Sequence, residues 1–327
     1  MTSQTRQRPS TALLAMRLFG KLPLALSARL AAGLAWLSAW LPLGMAGAYR
    51  NALINIMLSH PHLNWGQASR LARRALAGSA RNLADAAHVW SASPEENLSR
   101  ISRIEGLQAV REAHAAGRPL LILTLHHSSW ELPSLLLGRE LPATIFYNPH
   151  DDAQLTRAVT AAREATGSRL VEANARGIKA GLRALERKEA VVIVADHLPK
   201  GRNNPYVPFF GVPVRSSSLP HQLIRRFDPA VFFMYSHRPG NDGRVEIHFE
   251  AADTALHDPD PQTGLTALSV GLARIIERAP AQYHWTNKRY ARTAHGPRTL
   301  YRRGSVKALR RARRENRCAR LEELGRH

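Results

Sequence analysis

Two kinds of apolar pattern divide this chain. From Pro23 to Tyr49, "PLALSARLAAGLAWLSAWLPLGMAGAY", apolar residues run almost unbroken, interrupted by Arg29 and bounded near each end by Pro23 and Pro42. Roughly 20 clean apolar residues are needed to span a bilayer, and the part between the prolines falls just short. A marginal spanning helix, a hairpin dipping into one leaflet and an interfacial helix all fit this segment, and membrane attachment from one side is expected in preference to a buried core helix. The next stretch, "SRLARRALAGSARNLADAAHVW", has helical spacing through Leu71, Ala75, Leu76, Leu83 and Ala87. A further helix is expected over Ile104 to Ala116, stopped by Gly117.

The pattern then shortens. "PLLILTL", "ATIFY", "AVVIVAD", "AVFFMYS" and "RVEIHFE" are brief apolar runs rich in β-branched or aromatic residues. Helical stretches separate the first four, notably Ala153 to Thr166 and Arg176 to Arg187. This alternation predicts an α/β fold with a mostly parallel central sheet flanked by helices. "RVEIHFE" alternates polar and apolar, as an edge or one-sided strand would. A last helix over Leu265 to Arg278 puts Leu265, Leu268, Leu272, Ile275 and Ile276 on one face. Three regions result: a basic and apolar membrane-associating segment over 1–50, an α/β domain over 51–297, and a basic tail over 298–327.

Composition sharpens the choice of partners. The 327 residues carry 46 Lys and Arg against 25 Asp and Glu, a formal charge of +21, which favours nucleic acid, anionic lipid or an acidic protein. Arg6, Arg8, Arg17 and Lys21 precede the apolar segment, the arrangement of a cytoplasmic N-terminus. The single cysteine, Cys318, excludes an intramolecular disulfide framework and fits a reducing compartment. Zinc-finger spacing and RNP-like aromatic motifs are both missing, so no nucleic-acid partner is expected despite the charge.

Chemistry concentrates where "PLLILTL" ends. In open α/β sheets, ligands bind outside the carboxyl ends of strands, and "HHSSWE" (His126 to Glu131) follows there. A capping box led by Ser128 would give Glu131 a purely local task. Pro133 argues against it, because it would then be the fifth helical residue and remove a real helical bond. A helix starting nearer Trp130 or Glu131 tolerates that proline and leaves Glu131 free to turn towards a histidine. His127 misses the spacing and reads as a structural or surface residue. A serine nucleophile at Ser128 or Ser129 lacks the G-x-S-x-G elbow. A metal site from His126, His127, Asp151, Asp152, Asp196 and His197 lacks helical ligand spacing, and adjacent histidines on a strand point apart; neither metal nor cofactor is expected.

"HHSSWE" resembles the H-x4-(D/E) motif of the lysophospholipid acyltransferase superfamily, and more closely the "H-x-G-N-W-E" form of the bacterial lipid A late acyltransferases. "VVIVADHLPK…YVPFFGVPV" resembles that family's buried strand, D-Q pair and "V-x-F-F-G" loop. "ERAPAQYHWTNKRY" resembles its "P-x-Q-Y-x-W-x-x-[KR]-R-[FY]" signature, and the apolar N-terminus with "YRNALINIML" also fits. The similarity covers roughly residues 15 to 292. Departures stand at Ser128-Ser129 for Gly-Asn, at Asn148 where the family has the arginine of Y-R-P, and at Asp196-His197 for D-Q.

The resemblance implies acyl transfer from acyl carrier protein to a hydroxyl of a lipid A precursor at the cytoplasmic face of the inner membrane. It assigns His126 as general base, with Glu131 holding its ring. The departures keep another glycolipid, a lysophospholipid or an amino-acid lipid open as acceptor. Arg157 or Arg163 could replace the missing arginine, and Asp196 could orient the acceptor or cap its loop. Lys288 and Arg289, with Arg176 and Lys179 one turn apart, are candidates to hold phosphates. "YVPFFGVPV" is apolar enough to line an acyl groove and equally suited to a core.

Overall fold

A computed structural model describes residues 10–39, 46–199, 203–294 and 300–315. Arg6, Arg8, part of the long apolar segment and Cys318 lie outside the described residues. Helices α1 (Thr11–Lys21), α2 (Leu24–Ser38), α3 (Ala46–Ser59), α4 (Trp65–Val89) and α5 (Pro94–Ser99) precede the sheet. The chain then runs β1 (Ile101–Glu105), α6 (Leu107–Ala115), β2 (Leu120–Thr124), α7 (Glu131–Glu140), β3 (Ala143–Tyr147), α8 (Ala153–Glu164), β4 (Arg169–Glu172), α9 (Ala175–Glu186) and β5 (Ala190–Val194). A hairpin of β6 (Tyr206–Phe209) and β7 (Val212–Arg215) follows. The chain closes with α10 (Leu219–Phe227), β8 (Ala230–His237), β9 (Val245–Ala251), α11 (Pro261–Arg278) and α12 (Arg303–Arg314).

The seven-stranded sheet has the order β1-β9-β8-β2-β5-β3-β4. From β8 to β4 every pairing is parallel; β9 lies antiparallel to β8, and β1 parallel to β9. β2 sits in the middle and is buried on both faces, so its five residues LLILT show no alternation. Its odd-numbered leucines face a cluster that includes Ile193 and Phe233, while Leu120 and Ile122 face a second cluster with Leu132 and Leu136 of α7.

Expectations change at Ile104 and at Leu83. Ile104 belongs to the edge strand β1, not to a helix: the chain turns at Gly106, φ 72°, and α6 starts at Leu107. Any side chain at 106 would drive its Cβ into the Phe249 carbonyl, which only glycine avoids. β9 is one-sided as expected, burying Val245, Ile247 and Phe249, but it is not an edge, because β1 pairs along it. On α4 the buried stripe is Ala68, Ala72, Ala75, Ser79, Asn82, Ala86 and Val89, a three-four alternation. Leu83 points outward at 55% exposure.

No described helix is long and apolar enough to cross a membrane. α2 nevertheless has an unusual distribution. Its small residues Ala28, Ala32 and Ala35 are buried, while Leu26, Leu30, Leu34 and Leu37 form an exposed stripe at i, i+4, i+8 and i+11. Leu18 on α1, at 67%, is the most exposed large apolar residue among those described.

Candidate active site

The register between β2 and β5 places the central pair. Leu120 faces Ala190 and Thr124 faces Val194, a constant offset. Two residues beyond each strand end, the same offset sets His126 beside Asp196. The His126 ring Nδ1 lies 3.0 Å from Asp196 Oδ1, and the His126 backbone N–H donates to Asp196 Oδ2 at 3.1 Å. The Asp196 side chain is 2% exposed and the His126 side chain 19%, so the imidazole is reachable and the carboxylate behind it is not. Burial alone would lower the His126 pKa, but the Asp196 carboxylate outweighs it, Glu131 adds to the effect, and the net displacement is upward. For Asp196, burial raises and the His126 charge lowers; the charge wins, and its carboxyl lies well below the usual range.

α7 begins at Glu131 and carries Pro133 in its first turn, as the proline requires. The Glu131 carboxylate does not take the His126 ring. It receives both arms of Arg163, Nε at 2.8 Å and Nη2 at 2.6 Å, and the Trp130 indole N–H at 3.1 Å. Burial would raise the Glu131 pKa, but the guanidinium dominates and it is lowered. The hydrogen bond expected of Glu131 therefore belongs to Asp196, and Glu131 reaches His126 through its charge alone. The sequence leaves Asp196 between orienting the acceptor and capping its loop; its position two residues past a strand, matched by His126, is the available signal for the pairing.

The C-terminal "QYHW" segment closes this site from the other side. His284 N–H donates to the His126 carbonyl at 3.0 Å and Ser128 N–H to the Gln282 carbonyl at 3.0 Å, with His127 and Tyr283 forming an antiparallel bridge. The rings of His197 and His284 stand 4.7 and 6.2 Å from that of His126. Burial, then the His126 charge, push His284 down to about 4, so it adds no positive charge at neutral pH. Among the described residues no group of His, Cys, Asp or Glu has the arrangement to hold a metal ion. His127 is a buried structural histidine: its ring nitrogens lie 2.8 Å from the Ser236 carbonyl and 3.2 Å from that of Ala279.

Sequence reasoning missed the support beneath the motif. Asp85 of α4, buried, accepts from Ser129 Oγ and from Arg100, and Arg238 Nη2 lies 3.6 Å away. Ser128 has φ 50°, a left-handed conformation, and its buried Oγ has no hydrogen-bond partner among the described residues. Glycine adopts that conformation without the 1–2 kcal/mol strain of a side chain. We expect Ser128→Gly to stabilise the fold by about 1 kcal/mol, net of glycine's greater freedom when unfolded. Calorimetry should read a Tm rise of roughly 1–3 °C; an unchanged or lower Tm would contradict it.

The candidate anion-binding cations separate. Arg163 is in the site. Arg157, Arg176, Lys179 and Lys288 are exposed, and no described contact brings them to His126. Arg289 is buried, donates to the Arg215 carbonyl at 3.0 Å and to Ser216 Oγ at 3.2 Å, and lies over the Phe209 ring. It clamps the β6–β7 hairpin, with its buried Nε left without a hydrogen-bond partner among the described residues. That hairpin is core: Val207, Phe209 and Val214 are fully buried, around a turn at Phe210 and Gly211 with positive φ at both.

A model of the family described as bacterial lipid A biosynthesis acyltransferase matches residues 6–292. Over 209 residues, 64% of this chain and 68% of the relative, it is 22% identical to the lipid A biosynthesis lauroyltransferase of Escherichia coli (strain K12). A lipid A biosynthesis palmitoleoyltransferase of the same strain is 23% identical over 210 residues, 64% of this chain and 67% of its own. A lipid A biosynthesis acyltransferase of Haemophilus influenzae is 22% identical over 209, covering 62% and 63%.

Proposed function

The chain belongs to the bacterial lipid A biosynthesis acyltransferase family and is an acyltransferase, and from that membership we propose that it moves a fatty acyl chain from acyl carrier protein to a hydroxyl of a lipid A precursor. The observation that carries the mechanism is the reachable His126 backed by a buried Asp196. With Nδ1–H donated to Asp196, Nε2 is left with a lone pair facing outward. It takes the proton of the acceptor hydroxyl as that oxygen attacks the thioester carbonyl. Collapse of the tetrahedral intermediate breaks the C–S bond, and the leaving thiolate recovers the proton from His126. No acyl-enzyme is needed. Ser128 and Ser129 are both buried, and Ser129 Oγ is engaged by Asp85, which disfavours a serine nucleophile.

Arg163 stands in for the arginine that Asn148 lacks: Glu131 fixes it, and its charge already acts on His126. Glu131 thus serves the reaction through Arg163 and through its own field. The acceptor lipid would approach from the membrane, and α1 and α2 supply the contact. A helix with alanines inward and leucines outward has no reason to face water, while Arg17, Lys21 and Arg29 suit an anionic leaflet. We place this surface on the cytoplasmic side of the inner membrane.

Mass spectrometry of lipid A and phospholipids from cells lacking the protein tests the reading, with complementation by wild type, His126→Ala or Ser129→Ala. Lipid A should lose one acyl chain, restored by wild type and Ser129→Ala only. Loss of a different lipid would keep the chemistry and replace the acceptor; restoration by His126→Ala would end the mechanism. In the same cells the protein should fractionate with inner membrane, and Leu18→Asp with Leu34→Asp should release it.

A further inference from the structure

α12 lies beyond residue 292, where the family match stops. It is docked firmly: Ser305, Leu309 and Ala312 are buried on its inner face, and Arg313 donates to the Met57 carbonyl of α3 at 2.9 Å. Its outer face is different. Arg303, Lys307, Arg310 and Arg314 recur at i, i+4, i+7 and i+11, one continuous stripe, and all four are exposed. Among the described residues none of them has a carboxylate within ion-pair distance; the helix's ion pair is Arg311–Glu315, 2.9 Å, beside the stripe. Arg310 lies over the Trp65 ring, which brings the stripe to the first turn of α4, a helix that carries the exposed Arg70 and Arg74 in its next two turns.

This arrangement works against the helix. Like charges one turn apart repel, and Arg303 opens the helix, where the macrodipole disfavours a cation, with no acidic residue in the first turn. Local disadvantage without a partner among the described residues points to an external one. An interfacial membrane helix needs an exposed apolar face; the apolar residues of α12 are turned onto α3, and among the described residues the exposed leucine stripe is on α2. A row of cations on a helix with no exposed apolar stripe of its own fits a soluble protein presenting an acidic helix.

We propose that the α12 stripe, with Arg70 and Arg74, is the docking surface for the acidic protein that carries the acyl thioester; this rests on the acyl-carrier reading above. The surface is tied to the site. The Tyr301 hydroxyl, just before α12, accepts from Tyr290 N–H at 2.8 Å and donates to Asn55. Asn55 in turn donates to the carbonyls of Trp285 and Asn287, both at 2.6 Å. Those residues continue the segment that pairs with His126 and His127. A carrier held on α12 is therefore held relative to the segment that closes the reaction site. Opposed charges across such a contact act mainly on encounter and on its salt dependence.

The experiment compares the full chain with the Lys307→Glu/Arg310→Glu/Arg314→Glu variant and with the charge-keeping Arg303→Lys/Arg310→Lys/Arg314→Lys variant. Donors are acyl-acyl carrier protein and acyl-pantetheine, read across a salt series. Charge reversal should raise KM for the carrier-protein donor about tenfold or more and flatten its salt dependence. Acyl-pantetheine, with no protein to dock, should be far less affected, and the lysine variant should stay within about twofold of wild type. An unchanged KM on charge reversal overturns the proposal. So does loss of binding to phosphatidylglycerol vesicles with KM unchanged, which would make α12 a lipid contact. If wild type used acyl-pantetheine but not the carrier protein, the donor reading itself would fall.

Discussion

His126→Ala is expected to lower kcat by about 10²–10⁴-fold, the usual contribution of a positioned general base, together with a drop in Tm. The imidazole stands partly exposed at a strand end, but its loss leaves the buried Asp196 carboxylate without its partner, so the fall in kcat is read on protein shown to be folded. The pH profile provides the second readout. A base must be neutral to act, so kcat/KM rises as pH rises through the His126 pKa. Burial pulls that pKa down, Asp196 outweighs it, and the net shift is upward from 6.5; the acid limb of the wild-type profile should accordingly lie above 6.5. A limb below that value, or an alanine variant with most of its activity, would show that His126 is not the base.

Much of this architecture was legible in the sequence. The strands that were recognised, β2, β3, β5, β8 and β9, are those with a buried face, because burial on one or both sides forces apolar or alternating runs. Of the seven strands of the main sheet, the two that were missed are the outermost. β1 exposes its middle three residues, and β4 is four residues long with one buried; an edge strand of that kind reads as polar loop. The docking of α12 within the basic tail was hidden, since only Ser305, Leu309 and Ala312 are buried to hold it.

The pair proposed to react was half legible. His126 could be found from its motif and its strand. Its carboxylate could not, because choosing between Glu131, five residues away, and Asp196, seventy away, needs the knowledge that β2 lies beside β5 in a given register. Sequence spacing favours the near carboxylate by proximity in the chain; the sheet supplies the distant one by proximity in space. The Arg163 pair has the same origin, since a residue on α8 meets one on α7 only once both helices cover the sheet.

Asp196→Asn and Glu131→Gln should therefore fail in different ways. Asparagine at 196 removes the charge that raises the His126 pKa while leaving the burial that lowers it, so the acid limb of kcat/KM should move below 6.5. It also withdraws the acceptor that fixes the Nδ1–H tautomer, and kcat should fall by about 10²–10⁴-fold. Glutamine at 131 acts first on Arg163. A largely buried guanidinium loses both ionic hydrogen bonds, and breaking such a pair costs about 3 kcal/mol of stability, so Tm should drop by several degrees. The acid limb should move down less than in Asp196→Asn, because Glu131 touches His126 through its charge and not through a hydrogen bond. The reverse outcome is equally specific. If Glu131→Gln shifted the limb and abolished turnover while Asp196→Asn changed only the Tm, the working partner of His126 during catalysis would be Glu131. Arg163 would then have to release it when substrate binds.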